Sequence, residues 1–129
     1  MRIDYAERAR ALVGTRFRLQ GRSVEALDCV GVAIATFGVP ETSVRRNYRV
    51  RGDHEAEVVN FLPKYFRRVP HGQLRAGDLM LMRVAANHLH LGVRTTDGFV
   101  HADAGLRRVV ETPGQPAWPV IAVYRCRRK

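Results

Sequence analysis

Lysine is almost missing from this chain: of 22 basic residues only Lys64 and Lys129 are lysines, against 12 acidic residues and a formal charge of +10. That arginine bias follows genome composition more than a surface shaped for nucleic acid. The clusters at Arg45-Arg46, Arg67-Arg68, Arg107-Arg108 and Arg125 to Lys129 are scattered and carry no interleaved aromatics on which bases could stack, so nucleic acid is not expected as the main partner. Attraction to an anionic polymer fits the same charge. Cysteine is scarce too. Cys29 and Cys126 alone make no disulfide framework, and a bridge between them would consume the more interesting thiol. No run approaches the roughly 18 consecutive apolar residues of a membrane-crossing helix, so no span is expected. The opening residues Met1 to Arg8 lack the apolar core of a signal peptide, which gives the expectation of a protein that is cytoplasmic as synthesised. Internal repeats and low-complexity segments are also missing.

What is present is a chain of 129 residues, 46% of them hydrophobic, enough for one domain over 1–129 with its own core. Asp4 caps an expected amphipathic helix from Tyr5 to Val13, with Tyr5, Ala9, Leu12 and Val13 apolar and Gly14 as its stop. Residues 15–22 are polar, arginine-rich and turn-prone, and read as a loop. Asp28 is placed to cap a second helix of two to three turns starting at Cys29 and ending at Gly38, beside which the first helix should pack. Asp53 opens a third, about His54 to Leu62, which Pro63 ends or distorts. The stretch from 39 to 73 carries little other signal.

From Leu74 the period changes to that of strands. Leu79–Met82, Leu89–Val93, Gly98–Ala102, Arg107–Glu111 and Val120–Tyr124 are short strand-like runs separated by turn residues, and Asp97-Gly98 reads as the tightest turn of an antiparallel meander. Helices first and strands afterwards predict an α+β fold, with the Cys29 helix packed on an antiparallel sheet of about five strands.

Taken alone, Cys29 is a small buried hydrophobe. Its place at a helix start changes that reading, because unpaired backbone N–H groups and the helix dipole favour the thiolate, which is the nucleophile. A thiol nucleophile needs a base, and the base a third polar group to fix its tautomer. His90 and His101, on adjacent expected strands, supply both. If Asp97-Gly98 closes the hairpin, residues 93 and 102 come near each other and the two histidines reach the same end of the sheet.

The block Gly14-Thr15-Arg16-Phe17, Leu27-Asp28-Cys29-Val30-Gly31, Ala76-Gly77-Asp78-Leu79, His90-Leu91-Gly92-Val93 and Phe99-Val100-His101-Ala102 resembles the NlpC family of bacterial cell-wall cysteine peptidases. The resemblance implies a stripped papain-like core and hydrolysis of peptidoglycan stem peptides, typically between D-γ-glutamate and a diamino acid, with no metal or cofactor. On this mapping Cys29 attacks the amide carbonyl, His90 carries its proton to the leaving amine, and His101 orients His90. Asp28, Phe17 and Gln20 are the implied substrate-binding residues. Two positions depart from the family pattern: Phe17 stands where many members have Tyr, and Val30 where many have Ser, removing a hydroxyl near the thiol and a polar contact to substrate. The chain most resembles the phage-tail branch, which implies phage-tail proteins as partners and delivery to the wall by a virion.

Three other readings remain open. His88 and His90, two apart on a strand, could share a divalent ion with Cys29, His101 or Asp103. The same scaffold could serve as a non-catalytic tail-assembly or wall-binding module. The thiol chemistry could also run on another substrate, as an amidase or acyltransferase.

Overall fold

In a computed structural model the described residues are 3–17, 22–23, 26–27, 29–39, 62–86 and 88–127. Helix α1 (Tyr5–Arg10) opens on Asp4, whose carboxylate accepts from the Glu7 amide at 3.1 Å. It stops sooner than its apolar pattern suggests. The amides of Leu12 and Val13 bond three residues back, to Ala9 and Arg10, and these tight turns swing the chain out. Gly14, at φ +98°, then donates to the Val109 carbonyl at 2.8 Å. Ala6 is therefore the buried partner of Ala9, while Val13 is 45% exposed.

Three two-residue strands follow, β1 (Arg16–Phe17), β2 (Arg22–Ser23) and β3 (Ala26–Leu27). The polar segment expected as a loop thus contributes strands at both ends. Arg16 is exposed, and a strand with one wet face accommodates arginine. Helix α2 (Cys29–Phe37) has Ala35 as its one exposed residue, the pattern of a helix enclosed by protein. α1 packs against it, with the rings of Tyr5 and Phe37 4.9 Å apart. Of the expected third helix, 54–61 lies outside the described residues. Residues 62–65 are helical, so Pro63 lies within a helical turn; the proline ring fixes a φ that helices share.

The main strands are β4 (Phe66–Val69), β5 (Leu79–Ala85), β6 (His88–Arg94), β7 (Gly98–Asp103), β8 (Arg108–Pro113) and β9 (Val120–Cys126). They join the short strands in one sheet of order β2-β3-β1-β8-β7-β6-β5-β9-β4, antiparallel except between β1 and β3. This is an α+β, papain-like arrangement with an extra strand, β4, that period-2 alternation could not reveal. Its burial runs buried, exposed, exposed, buried, with Arg67 and Arg68 turned out along an edge strand, where charge also deters pairing with another chain.

The β6–β7 hairpin pairs Val93 with Val100 and Arg94 with Phe99, not 93 with 102. Its turn lies at Thr96-Asp97, one residue earlier than expected, because Thr95 and Gly98 bond each other: the Thr95 amide donates to the Gly98 carbonyl at 2.8 Å, and the Gly98 amide to Thr95 Oγ1 at 3.1 Å. Gly98 therefore belongs to β7, where a Cβ would collide with the Thr112 carbonyl.

Leu79, Leu81, Leu89, Leu91, Val93, Val100 and Val109 pack with Val30, Val32, Ala33 and Phe37 of α2 in the main core. Each fully buried leucine or valine among them contributes about 1.5–3 kcal/mol. The alternate positions Met80, Met82 and Phe99 form a second cluster with Leu74, Trp118 and Val120. β5 is thereby covered on both faces.

At the start of β5, Asp78 takes both Arg125 Nε and Nη2 at 2.8 Å and the Arg75 amide at 3.1 Å. The Asp78 side chain is 2% exposed, so removing its partner strands a buried charge. Arg125→Met is expected to destabilise the fold by about 3 kcal/mol, a melting temperature lower by roughly 10 °C, as thermal denaturation followed by circular dichroism would show.

Candidate active site

Cys29 opens α2 and is 7% exposed, at the margin of the main core. α2 lies against β6 and β7, the strands that carry the two histidines. Cys29 and Cys126 are both free thiols.

On β6, Leu89, Leu91 and Val93 point into the main core, so strand alternation turns His90 to the side of Met82, its partner on β5. His101 shares that side. The structure brings the histidines together: His90 Nε2 lies 3.0 Å from His101 Nδ1, with the rings at 88° and centroids 5.1 Å apart. The second nitrogen of His101, Nε2, lies 3.0 Å from Thr112 Oγ1 on β8. His101 is 2% exposed, with Phe99 stacked on it at 4.6 Å. Trp118 stands edge-on to both histidines, at 5.4 Å and 5.8 Å. Burial holds His101 below the ordinary histidine range, against the smaller opposite pull of Asp103. It is therefore neutral at neutral pH, with one donor and one acceptor nitrogen.

Gly92 makes room for this arrangement. A Cβ there would stand 3.0 Å from the Phe99 ring and 3.1 Å from the Met82 methyl, pressing on the ring that stacks on His101.

Of the implied substrate residues, Gln20 and Asp28 lie outside the described residues. Phe17 is placed by its backbone, in β1 beside β3 and next to β8 in the sheet. Val30 is fully buried in the main core, so the departure at that position is a packing substitution and not a lost contact in a groove. Thr112, Phe99 and Trp118 join the site only in the folded structure. A clue existed for one of them, since Trp118 is the chain's single tryptophan. Thr112 gave none, because its contact depends on the β7–β8 register. His88 and His90 do fall two apart on β6, but His90 directs Nε2 at His101. Among the described residues no three His, Cys, Asp or Glu side chains are grouped to hold a metal ion.

This geometry sits in a chain whose residues 14–122 match the NlpC/P60 family. Murein DD-endopeptidase MepS/Murein LD-carboxypeptidase of Escherichia coli K12 is 27% identical over 109 residues, which are 81% of this chain and 51% of that protein. The chain thus spans about half the length of the curated relatives it matches. Among solved structures, NlpC2 from Trichomonas vaginalis superposes with a TM-score of 0.71 at 13% identity, over 96% of this chain and 46% of that one. The NlpC/p60 domain of the peptidoglycan hydrolase SagA gives 0.60 at 17%, over 85% and 86%. The peptidoglycan hydrolase RipB from Mycobacterium tuberculosis gives 0.59 at 20%, over 95% and 62%. At these identities the solved structures establish the fold.

Proposed function

The chain belongs to the NlpC/P60 family, and from that premise we propose that it is a cysteine peptidase hydrolysing amide bonds in peptidoglycan stem peptides. The observation that carries the reading is the 3.0 Å contact between His90 Nε2 and His101 Nδ1, on strands packed against a helix that begins with Cys29. A base oriented by a second histidine is what a thiol nucleophile requires.

In the proposed reaction the Cys29 thiol gives its proton to His90, and the sulfur attacks the amide carbonyl. Because His90 directs Nε2 at His101, its Nδ1 is the atom assigned the thiol proton. The tetrahedral intermediate collapses as that proton passes to the leaving amine, which departs and leaves a thioester. His90 then takes a proton from water as the water oxygen attacks the thioester, and the carboxylic acid product leaves, to ionise in solvent, as the proton returns to sulfur. A charge of +10 favours encounter with an anionic polymer.

The bond is the open part of the proposal. The family resemblance points to the D-γ-glutamyl–diamino acid amide, whereas the name of the Escherichia coli relative specifies DD-endopeptidase and LD-carboxypeptidase activities. Defined muropeptides that offer each of these bonds separately, incubated with the protein before and after alkylation of Cys29 and read by mass spectrometry, distinguish them. Cleavage of one bond class, lost on alkylation, is the expected result. Cleavage that survives alkylation, or none on any substrate, would overturn the reading.

A further inference from the structure

His101 has two ring nitrogens and both are engaged: Nδ1 with His90 Nε2 and Nε2 with Thr112 Oγ1, each at 3.0 Å. Three groups from three neighbouring strands thus stand in a row. Thr112 is opposite Phe99 in the β7–β8 register and diagonal to His101, which faces Val110. A diagonal pair of this kind is within side-chain reach, and the branched Cβ of threonine restricts where its hydroxyl can point.

The direction of the protons along the row is set by what His90 must do. Once His90 holds the thiol proton it is an imidazolium and both of its nitrogens are donors. Its Nε2–H then needs a lone pair on His101 Nδ1, which puts the single proton of neutral His101 on Nε2, aimed at Thr112. With the row reversed, Thr112 donates to His101, His101 Nδ1–H donates to His90, and the His90 proton moves to Nδ1. In that arrangement His90 cannot take a proton from the thiol. Only the first direction is compatible with a base.

We propose that Thr112 is a positioning residue for the reaction, the terminal acceptor that keeps His101 in its Nε2–H tautomer while His90 carries the thiol proton. The proposal rests on the peptidase reading above. The bond to Thr112 is strengthened when His90 is charged, because hydrogen bonds in a chain polarise one another and those reaching an ion are the stronger ones. Removing the hydroxyl therefore penalises the charged state of His90 more than the neutral one. The other groups around the row are Asp103 on β7, Arg108 opposite it on β8, and the uncharged side chains of Met82, Phe99 and Trp118. Phe99 and Trp118 offer no acceptor, Met82 only a weakly accepting thioether and Arg108 only donors, while the Asp103 carboxylate acts on His101 through its charge and accepts the Leu106 amide at 3.0 Å.

The test compares wild type, Thr112→Val and Thr112→Ser. The pH dependence of Cys29 alkylation is followed peptide by peptide by mass spectrometry, so that Cys126 does not contribute. In the valine variant the rise in alkylation should move up by about one pH unit, and kcat on muropeptides should fall about tenfold with KM nearly unchanged. Serine should restore both. Nitrogen-15 NMR of the wild-type histidines should find His101 protonated on Nε2. An Nδ1-protonated His101 in the wild type would overturn the proposal whatever the variants do, including a valine variant that fails to fold. A folded valine variant with an unchanged alkylation profile would overturn it too, even if kcat fell, because that is the mark of a purely structural role. Failure of the wild type to cleave any muropeptide falls on the peptidase reading alone, since neither alkylation nor NMR requires turnover.

Discussion

Cys29→Ala is expected to lower muropeptide hydrolysis by at least about four orders of magnitude, to the limit of detection. Removal of the nucleophile from a set of groups that act as a unit abolishes nearly everything the set contributes. Cys126, the remaining cysteine, lies on β9, paired with Phe66 of the edge strand β4. The fold should tolerate the change. Cys29 is at the margin of the core with 7% exposure, and alanine removes only the sulfur, at a cost of about 1 kcal/mol. A circular dichroism spectrum and melting temperature close to wild type, together with an absence of muropeptide products by mass spectrometry, are the paired observations to seek. Activity persisting within tenfold of wild type would end the cysteine mechanism, and the metal reading built on His88 and His90 would then be tested with chelators.

His90→Gln is the second large effect, a loss of about 10³-fold in kcat, the upper range of what general acid–base groups contribute. Glutamine keeps a polar side chain next to His101 but has no group able to hold the thiol proton. KM should change little, and alkylation of Cys29 at neutral pH should slow as well, because the thiolate loses its counterion. The pH dependence follows from the neighbour. Protonation of His101 would place a donor on Nδ1, facing the Nε2–H of His90, and break the row. Burial lowers the His101 pKa from the ordinary 6.5, so this loss of activity falls at a pH below 6.5 in the wild type. Stability follows the same sign. The unfolded chain takes up a proton on this histidine as pH drops through 6.5 while the folded chain resists it, so the contribution is fully present above 6.5 and declines as pH falls below it. Urea unfolding at pH 7.5 and pH 5.5 would measure that difference.

The parts of the fold that depend on local chemistry are legible in the sequence. The enclosed helix from Cys29 to Phe37 follows from an unbroken apolar run ended by Gly38, and the strands of the meander from alternation between turn residues. What escaped depends on contacts distant in sequence. The early end of α1 is fixed by the bond from Gly14 to Val109, and β1 exists because β3 and β8 lie on either side of it. The β6–β7 register differs by two residues from the one Asp97-Gly98 suggests, Val93 facing Val100 and not 102, because the Thr95 hydroxyl sets the turn one residue earlier. In the candidate site, Cys29, His90 and His101 could be chosen by residue type and position, but Thr112 acquires its contact only from the way β8 lies beside β7. Val30 shows the converse. In sequence it stands for a missing polar contact to substrate; in the structure it is a fully buried core residue.

The alternation along β6 separates two kinds of selection on a single strand. Odd positions, Leu89, Leu91 and Val93, hold the main core, while on the other side His90 meets His101 and Gly92 leaves room for Phe99 and Met82. Drift at the odd positions is limited by folding, drift at Gly92 by the packing of Phe99 and Met82, and drift at His90, on the proposed reaction, by activity. A descendant could therefore lose its reaction in one or two substitutions and keep a fold indistinguishable from its parent, so that fold comparison by itself would not tell an active member of this lineage from a silent one.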